Sequence, residues 1–289
     1  MACRMVDGIF TKPSRFDCVK GFEVRILFIG DIVGKAGRKA LLTLLGGLVE
    51  REEIDLTIAN GENAAGGIGI TPAIAREILE EGVNVITSGN HIWAKKEIIQ
   101  FLDGEERILR PANYPDGAPG KGSSIFTTRR GEKVGVVNLE GRVFMKNLDC
   151  PFASAEKELM ELNRETDCTV VDFHAEATSE KMALGWFLDG RASAVLGTHT
   201  HIQTSDERVL PSGTAYITDV GMTGSTASVI GIKKAVAIER FLTQMPRKFD
   251  VASKEVELQG VILEINPNNG KSESIRRLKV PLDKGKIGL

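Results

Sequence analysis

The sequence holds four histidines, His91, His174, His199 and His201, and each follows closely on a run of apolar, β-branched residues. Asp31, Glu62, Asn63 and Asn90 occupy the same kind of position. RILFIGD (25–31), IDLTIAN (54–60) and VNVITSG (83–89) run into these oxygen donors, TVVDF (169–173) runs into His174, and ASAVLG (192–197) runs into Thr198-His199-Thr200-His201. Imidazole nitrogens with carboxylate and amide oxygens, and no thiolate, suit Fe, Mn or Zn better than an all-oxygen Ca or Mg site. Asp31, Glu62, Asn63, Asn90, His174, His199 and His201 are too many ligands for one tetrahedral ion, whereas two ions sharing a bridging carboxylate use them all. Such a pair, about 3.5–4 Å apart, is the usual device for splitting phosphate esters. A hydroxide held between the ions attacks phosphorus in line, the ions neutralise the transition-state oxygens, and the leaving oxygen still needs a proton.

The elements that must position these groups follow from periodicity. Short β-branched runs alternate with amphipathic ones from Arg25 onward, which predicts βαβ units and a mainly parallel sheet. Ligands in open α/β sheets bind beyond the carboxyl ends of the strands, where all the candidate donors fall. The spacings Asp31 to Glu62 to Asn90, 31 and 28 residues, are about one βαβ repeat each. Glycines 30, 34 and 37 are read as a turn into a helix over 38–52, and Thr71-Pro72 opens a second helix to about residue 81. Further helices are expected near 95–102, 153–163, 179–189 (capped by Thr178 or Ser179) and 231–244. SSIFTTRR and KVGVVNL flank Gly131-Glu132 as a hairpin, and strands at 214–219, 256–265 and 274–280 complete the chain, the last two joined through Asn269-Gly270. Singly, each candidate has a bland account: a histidine after a strand as a structural hydrogen-bonder, Asp31 as a turn former, Asn90 as a loop cap. Jointly these accounts fail, because all four histidines gather at one predicted edge and His-x-His in extended chain points both rings to one side.

The motifs Gly30-Asp31, Gly61-Glu62-Asn63, Gly89-Asn90-His91, His174-Ala175-Glu176-Ala177-Thr178 and Gly197-Thr198-His199-Thr200-His201 resemble the calcineurin-like metallophosphoesterases, and more closely their bacterial YmdB-like branch. The resemblance spans about residues 25–280 and includes Thr218-Asp219-Val220-Gly221-Met222-Thr223-Gly224. The superfamily usually opens with Asp-x-His, whereas Asp31-Ile32-Val33 lacks that histidine; Ile92 likewise replaces an acidic residue after Asn-His. In the YmdB-like pattern Asn63 supplies the missing ligand. The resemblance implies one ion on Asp31, Glu62, Asn63 and His201 and a second on Glu62, Asn90, His174 and His199, with Glu62 bridging and His91 as proton donor. It further implies a four-layer α/β/β/α sandwich with mixed sheets, two divalent or mixed-valence ions (iron or manganese, with zinc as an alternative), and hydrolysis of small phosphodiesters, 2′,3′-cyclic nucleotides foremost.

At 289 residues, 42% hydrophobic and 26% charged, the chain has an ordinary globular composition, which excludes disorder and coiled coil. The expected division is a flexible extension over 1–23 and one domain over 24–289. A net charge of -2 lacks the broad positive field that duplex nucleic acid requires. The scattered Cys3, Cys18, Cys150 and Cys168 read as reduced thiols, and neither a secretory signal nor a membrane segment occurs, so a cytoplasmic protein is expected; a homo-oligomer is compatible with all of this. Two other readings stand. Gly30, Gly34 and Gly37 could open a nucleotide-binding module without chemistry, although G-x-G-x-x-G needs glycine at Ile32. Arg129-Arg130 and Arg276-Arg277-Leu278-Lys279 could serve a single-strand RNA nuclease or RNA-binding factor. Trp93, Phe101 and Tyr114 are candidate stacking partners for a base, and the Gly/Pro-rich loop 111–122 is a candidate cover.

Overall fold

Alternate side chains of the first strand, β1 (Val24–Ile29), enter two different cores: Ile26 and Phe28 one, Leu27 and Ile29 the other. That two-residue period makes the protein several layers deep. The computed structural model describes residues 23–282, so the extension expected over 1–23 lies almost wholly outside the described residues. After β1 come β2 (Asp31–Ile32), α1 (Gly34–Arg51), β3 (Leu56–Asn60), α2 (Pro72–Glu80), β4 (Val85–Thr87) and α3 (Ile98–Leu102). The hairpin β5 (Ser123–Thr127) and β6 (Lys133–Glu140) precedes α4 (Pro151–Leu162), β7 (Thr169–His174), α5 (Thr178–Phe187), β8 (Ala194–Thr198), β9 (Arg208–Val209) and β10 (Ala215–Ile217). The chain ends with β11 (Met222–Ser225), α6 (Lys234–Thr243), β12 (Val256–Ile265) and β13 (Ser272–Pro281).

These strands form two mixed sheets, ordered β2-β11-β12-β1-β3-β4, with β13 paired to β12, and β5-β6-β7-β8-β10-β9. Within them β1, β3 and β4 are parallel neighbours, as are β6, β7, β8 and β10. The sheets pack face to face through Phe28, Ile58 and Val85 against Val136, Val170 and Leu196. Leu41, Leu45 and Leu48 of α1 and Ile78 of α2 cover one outer face, and Leu159 and Leu162 of α4 with Leu184 of α5 cover the other. The result is the expected four-layer α/β/β/α sandwich.

Several local expectations differ. The first helix starts at Gly34 rather than 38, and Gly30 and Gly37 let the chain approach β11: a Cβ at Gly37 would lie 2.2 Å from the Thr223 carbonyl oxygen, and one at Gly30 would lie 2.1 Å from that of Gly221. These glycines serve close packing and are not a phosphate cradle. Thr71 caps α2 as expected, its hydroxyl accepting from the Ile74 N–H at 3.3 Å, but neither Thr178 nor Ser179 caps α5, whose preceding residue is Ala177. The strands β2, β9 and β11, of two to four residues, were too short to show a period.

Beneath the strand ends, a buried polar seam joins the sheets. Asn60 on β3 donates to the Ser88 carbonyl (3.2 Å) and to Asp172 Oδ2 on β7 (3.0 Å). Asn138 on β6 accepts from the Ser88 N–H (3.0 Å) and donates to the Ser88 carbonyl (3.0 Å). Each buried polar group left unpaired costs about 1–3 kcal/mol, so Asn138→Ala should lower the unfolding free energy by roughly 2–5 kcal/mol in urea titration. A change below about 0.5 kcal/mol, the level of an unremarkable surface substitution, would remove the seam from any role in joining the sheets.

Candidate active site

All eight sequence-singled residues converge where the two sheets end. Asp31 lies on β2, Glu62 and Asn63 on the turn after β3, and Asn90 and His91 just beyond β4; His174 closes β7, and His199 and His201 follow β8. Asp31, Glu62 and His174 have no solvent exposure. His174 Nε2 stands 3.2 Å from Glu62 Oε1, 3.1 Å from Asn90 Oδ1 and 2.9 Å from His199 Nδ1. One ring nitrogen with at most one proton cannot satisfy three such neighbours, whereas donors held about 2.0–2.2 Å from a single ion lie roughly 3–3.5 Å apart. Glu62, His174 and His199 form the group among the described residues whose donor atoms are all within 4.8 Å of one another.

A second group abuts the first. Asn63 Nδ2 lies 2.9 Å from Glu62 Oε1 and 3.2 Å from His201 Nε2, and His201 Nε2 lies 3.7 Å from Asp31 Oδ1. That Asp31 oxygen is buried with no hydrogen-bond partner, a costly condition for a carboxylate. Burial, outweighing the His201 and His174 rings, raises the Asp31 carboxyl above its usual range. Glu62 is also desolvated, but His174 and His91 hold its carboxyl well below the usual range. At His174 burial opposes a charge, yet Glu62 and then Asp31 push the pKa up to about 9, while burial and the neighbouring His174 push His199 down to about 3. A pocket that draws positive charge inward against its own desolvation cost suits cations. Donor set, spacing, unpartnered oxygen and field all fit bound metal.

Residues not singled out as donors in the sequence aim the imidazoles. His174 Nδ1 meets Thr198 Oγ1 at 2.9 Å, and that hydroxyl donates to Asp172 Oδ1 at 2.7 Å; His199 Nε2 lies 3.1 Å from Glu176 Oε2, and His201 Nδ1 donates to the Ile230 carbonyl at 3.0 Å. In each case one ring nitrogen is engaged and the other faces the site, as outer partners of metal-binding histidines arrange. The His-x-His segment is not extended, however: His199 and His201 have φ of 92° and 62°. Asp219 holds this strained turn, accepting from the Thr200 N–H (3.1 Å) and Oγ1 (2.5 Å), with Lys181 Nζ at 3.0 Å. His91 is placed differently, with Nδ1 2.9 Å from Asn63 Oδ1 and 3.2 Å from Glu62 Oε1.

Other expectations do not reach the site. Trp93 and Phe101 pack against the α1–α2 core, and Tyr114 meets Trp93 edge-on at 5.5 Å while donating to Glu140 Oε2 at 3.2 Å; none of the three lines the cavity beside the donors. Loop 111–122 stays clear of it too, tied down by Arg110, which donates to the Pro111 and Pro119 carbonyls. The basic clusters are engaged in ion pairs away from the site: Arg129 and Arg130 share Asp55, Arg276 pairs with Glu52 and Arg277 with Glu207. Among the described residues no helix is long and apolar enough to cross a membrane.

The model of the YmdB-like protein family matches residues 27–278, which span both sheets and every donor named above. The chain belongs to the YmdB-like family. It is 47% identical, over 89% of its length and 97% of the relative's, to the 2′,3′-cyclic-nucleotide 2′-phosphodiesterase of Bacillus subtilis (strain 168). Among solved structures it superposes on a hypothetical protein from Thermus thermophilus with a TM-score of 0.83 and 43% identity, covering 89% of this chain and 99% of that one. A phosphatase from Mycoplasma pneumoniae gives 0.84 and 33%, covering 90% and 94%. In this YmdB-like chain Gly89 leaves room for the central ring, since a Cβ there would lie 2.4 Å from His174 Nε2. Gly89→Ala should therefore retain its circular dichroism spectrum but lose at least one equivalent of metal by elemental analysis. Unchanged metal content would show that the His174 position does not matter for binding.

Proposed function

We propose that this chain is a dinuclear metal-dependent hydrolase of phosphodiester bonds, acting on small cyclic nucleotides of the 2′,3′ type. The supporting observation is the convergence of Glu62 Oε1 with His174 Nε2, Asn90 and His199 on one side and with Asn63, His201 and Asp31 on the other. The name of the Bacillus subtilis relative, at near-complete coverage, supports the substrate class. Asp31, Glu62, Asn63 and His201 would hold one ion and Glu62, Asn90, His174 and His199 the other; nitrogen and oxygen donors without sulfur favour iron or manganese, with zinc the alternative. Bound there, the pair of ions supplies a water-derived nucleophile and neutralises charge on the phosphoryl oxygens.

The protein's own groups set the remaining steps. Glu62 Oε2 accepts from the His91 N–H at 3.1 Å, which leaves Oε1 as the oxygen turned toward both donor groups. Asn63 offers its amide nitrogen to the site and its oxygen to His91, so acting as a ligand requires the amide to turn over. Once turned, its NH2 packs against His91 Nδ1, so the proton that His91 can give up is the one on Nε2. His91 lines the cavity and is half-exposed, so that proton is positioned for the leaving ribose oxygen. Asn90 next to it remains with the metal donors.

A carboxylate shared by two ions differs measurably from a ligand of one. Glu62→Gln should lose metal from both positions and His201→Ala mainly from one; two equivalents retained in Glu62→Gln at unchanged affinity would disprove the bridge. A general acid contributes roughly 10²–10⁴ in rate, but only where the leaving oxygen is basic. His91→Gln should lose a factor in that range on a 2′,3′-cyclic nucleotide and far less on an aryl phosphodiester, with metal content unchanged. An equal drop on both substrates, or loss of metal, would assign His91 to ligand support instead.

A further inference from the structure

The cavity of about 420 Å³ beside the donors has two unlike walls. One carries Glu62, His91, His199 and His201, with Glu176 and Thr200. The other is made of Val33, Ile68, Ile230, Ile232, Phe249 and Val251, none of which offers a polar side-chain atom. Four of these six belong to an excursion over residues 226–254 that leaves after β11 and returns before β12. Its base is stitched by the Thr226 N–H on the Glu255 carbonyl (2.8 Å), and its neck below α6 by the Lys233 N–H on the Asp250 carbonyl and the Ala252 N–H on the Gly231 carbonyl (2.8 and 2.9 Å). The excursion docks closely on the α1 entry, since a Cβ at Gly231 would lie 2.8 Å from Val33 Cγ1. Through the Ile230 carbonyl it also holds the His201 ring. The apolar wall is thus fixed relative to the donors, although splitting a phosphate ester requires no apolar surface.

Phe249 is the aromatic residue of that wall. The Arg240 guanidinium carbon lies 4.9 Å from its ring centroid, so one face of the ring is covered by a cation and the ring borders the cavity with what remains. A phenyl ring fixed in this way is a platform for a flat heterocycle, because every nucleobase has a π-face that stacks on an aromatic side chain. We infer that this wall is the nucleobase subsite, with Phe249 the residue that sets preference for purine over pyrimidine cyclic nucleotides. The inference rests on the phosphodiesterase reading of the neighbouring donors. Glu176 and Thr200 also line the cavity, but His199 engages the one and Asp219 the other, so base edges go unread and discrimination comes from ring area and fit alone. Adenine and guanine should therefore be used alike, and single-ring bases less well.

Binding that is equal in ground and transition states appears in KM and not in kcat. Phe249→Ala should raise KM for adenosine 2′,3′-cyclic phosphate about tenfold, the scale of one base–aromatic stack, with kcat within about twofold. Phe249→Tyr should restore KM. On base-free ribose 2,3-cyclic phosphate the wild type and Phe249→Ala should be indistinguishable, and thermal melts of all variants should coincide. Equal KM changes on the nucleotide and the base-free ester, or no change on either, would overturn the subsite while leaving the hydrolase reading intact. Calorimetric binding of adenosine 3′-monophosphate, compared with ribose phosphate, reads the subsite without turnover. Tighter binding of the nucleotide, lost in Phe249→Ala, supports it even if no cyclic diester is cleaved, an outcome that would sink the hydrolase reading alone. Equal affinity for the two phosphates would remove the subsite.

Discussion

Two carboxylates buried side by side, Asp31 and Glu62, are the constraint around which the rest of the molecule is arranged. Neither has any exposure to solvent, and one Asp31 oxygen lacks any hydrogen-bond partner. Like charges held in a low-dielectric interior repel strongly and lose their hydration, so such a pair persists only beside compensating positive charge. Imidazoles supply part of it, and their opposite responses follow from position. His174, between both acids, is driven to accept a proton, while His199, pressed against His174, is driven to shed one. The seam of Asn60, Ser88, Asn138 and Asp172 carries polar bonding down between the sheets below, so the charged floor rests on hydrogen-bonded groups as well as hydrocarbon.

Aiming the rings has its own structural cost. His199 and His201 sit at positive φ, a conformation disfavoured for residues with a Cβ, and the strain is offset by the hydrogen bonds that Asp219 makes to Thr200. Lys181, almost completely buried, pairs with Asp219 and Thr200 from helix α5, so a residue that is not itself a donor helps decide where two imidazoles point. Glu176, Thr198 and the Ile230 carbonyl each fix one further ring. His174, His199 and His201 thus each have a partner holding the side of the ring away from the site.

The donors themselves were legible in the sequence because strands announce themselves by composition and residues at strand ends must share an edge. The four layers were carried by the family resemblance, and the strand and helix periods agree with them. Contacts that join distant segments were not legible. Asp219 and Glu176 stand in the motifs, but nothing in the sequence ties them to Thr200 and His199, which only the fold brings to them. Phe249 lies in a polar stretch with no period, whereas Trp93, two residues past a recognised motif, and Tyr114 looked better placed and instead pack on each other. The glycines at 30 and 37 suggested a phosphate loop, but they make room for the backbone of residues 221–223, an approach visible only once β11 is known to lie there.

The order in which the donors occur along the chain carries a further consequence. Their oxygens come from residues 31–90 and the nitrogens turned to the site from 174–201, the two sets reaching it from different sheets. A ribosome therefore releases the hard, oxygen-rich half of the site well before any of the softer half. Oxygen donors alone prefer magnesium or calcium and hold them weakly, whereas imidazoles bring selectivity for transition ions. The first sheet is itself unfinished at that stage, because β12, which pairs with β1, follows every strand of the second sheet, so the oxygen half of the site waits on residues 256–265 for its supporting strand.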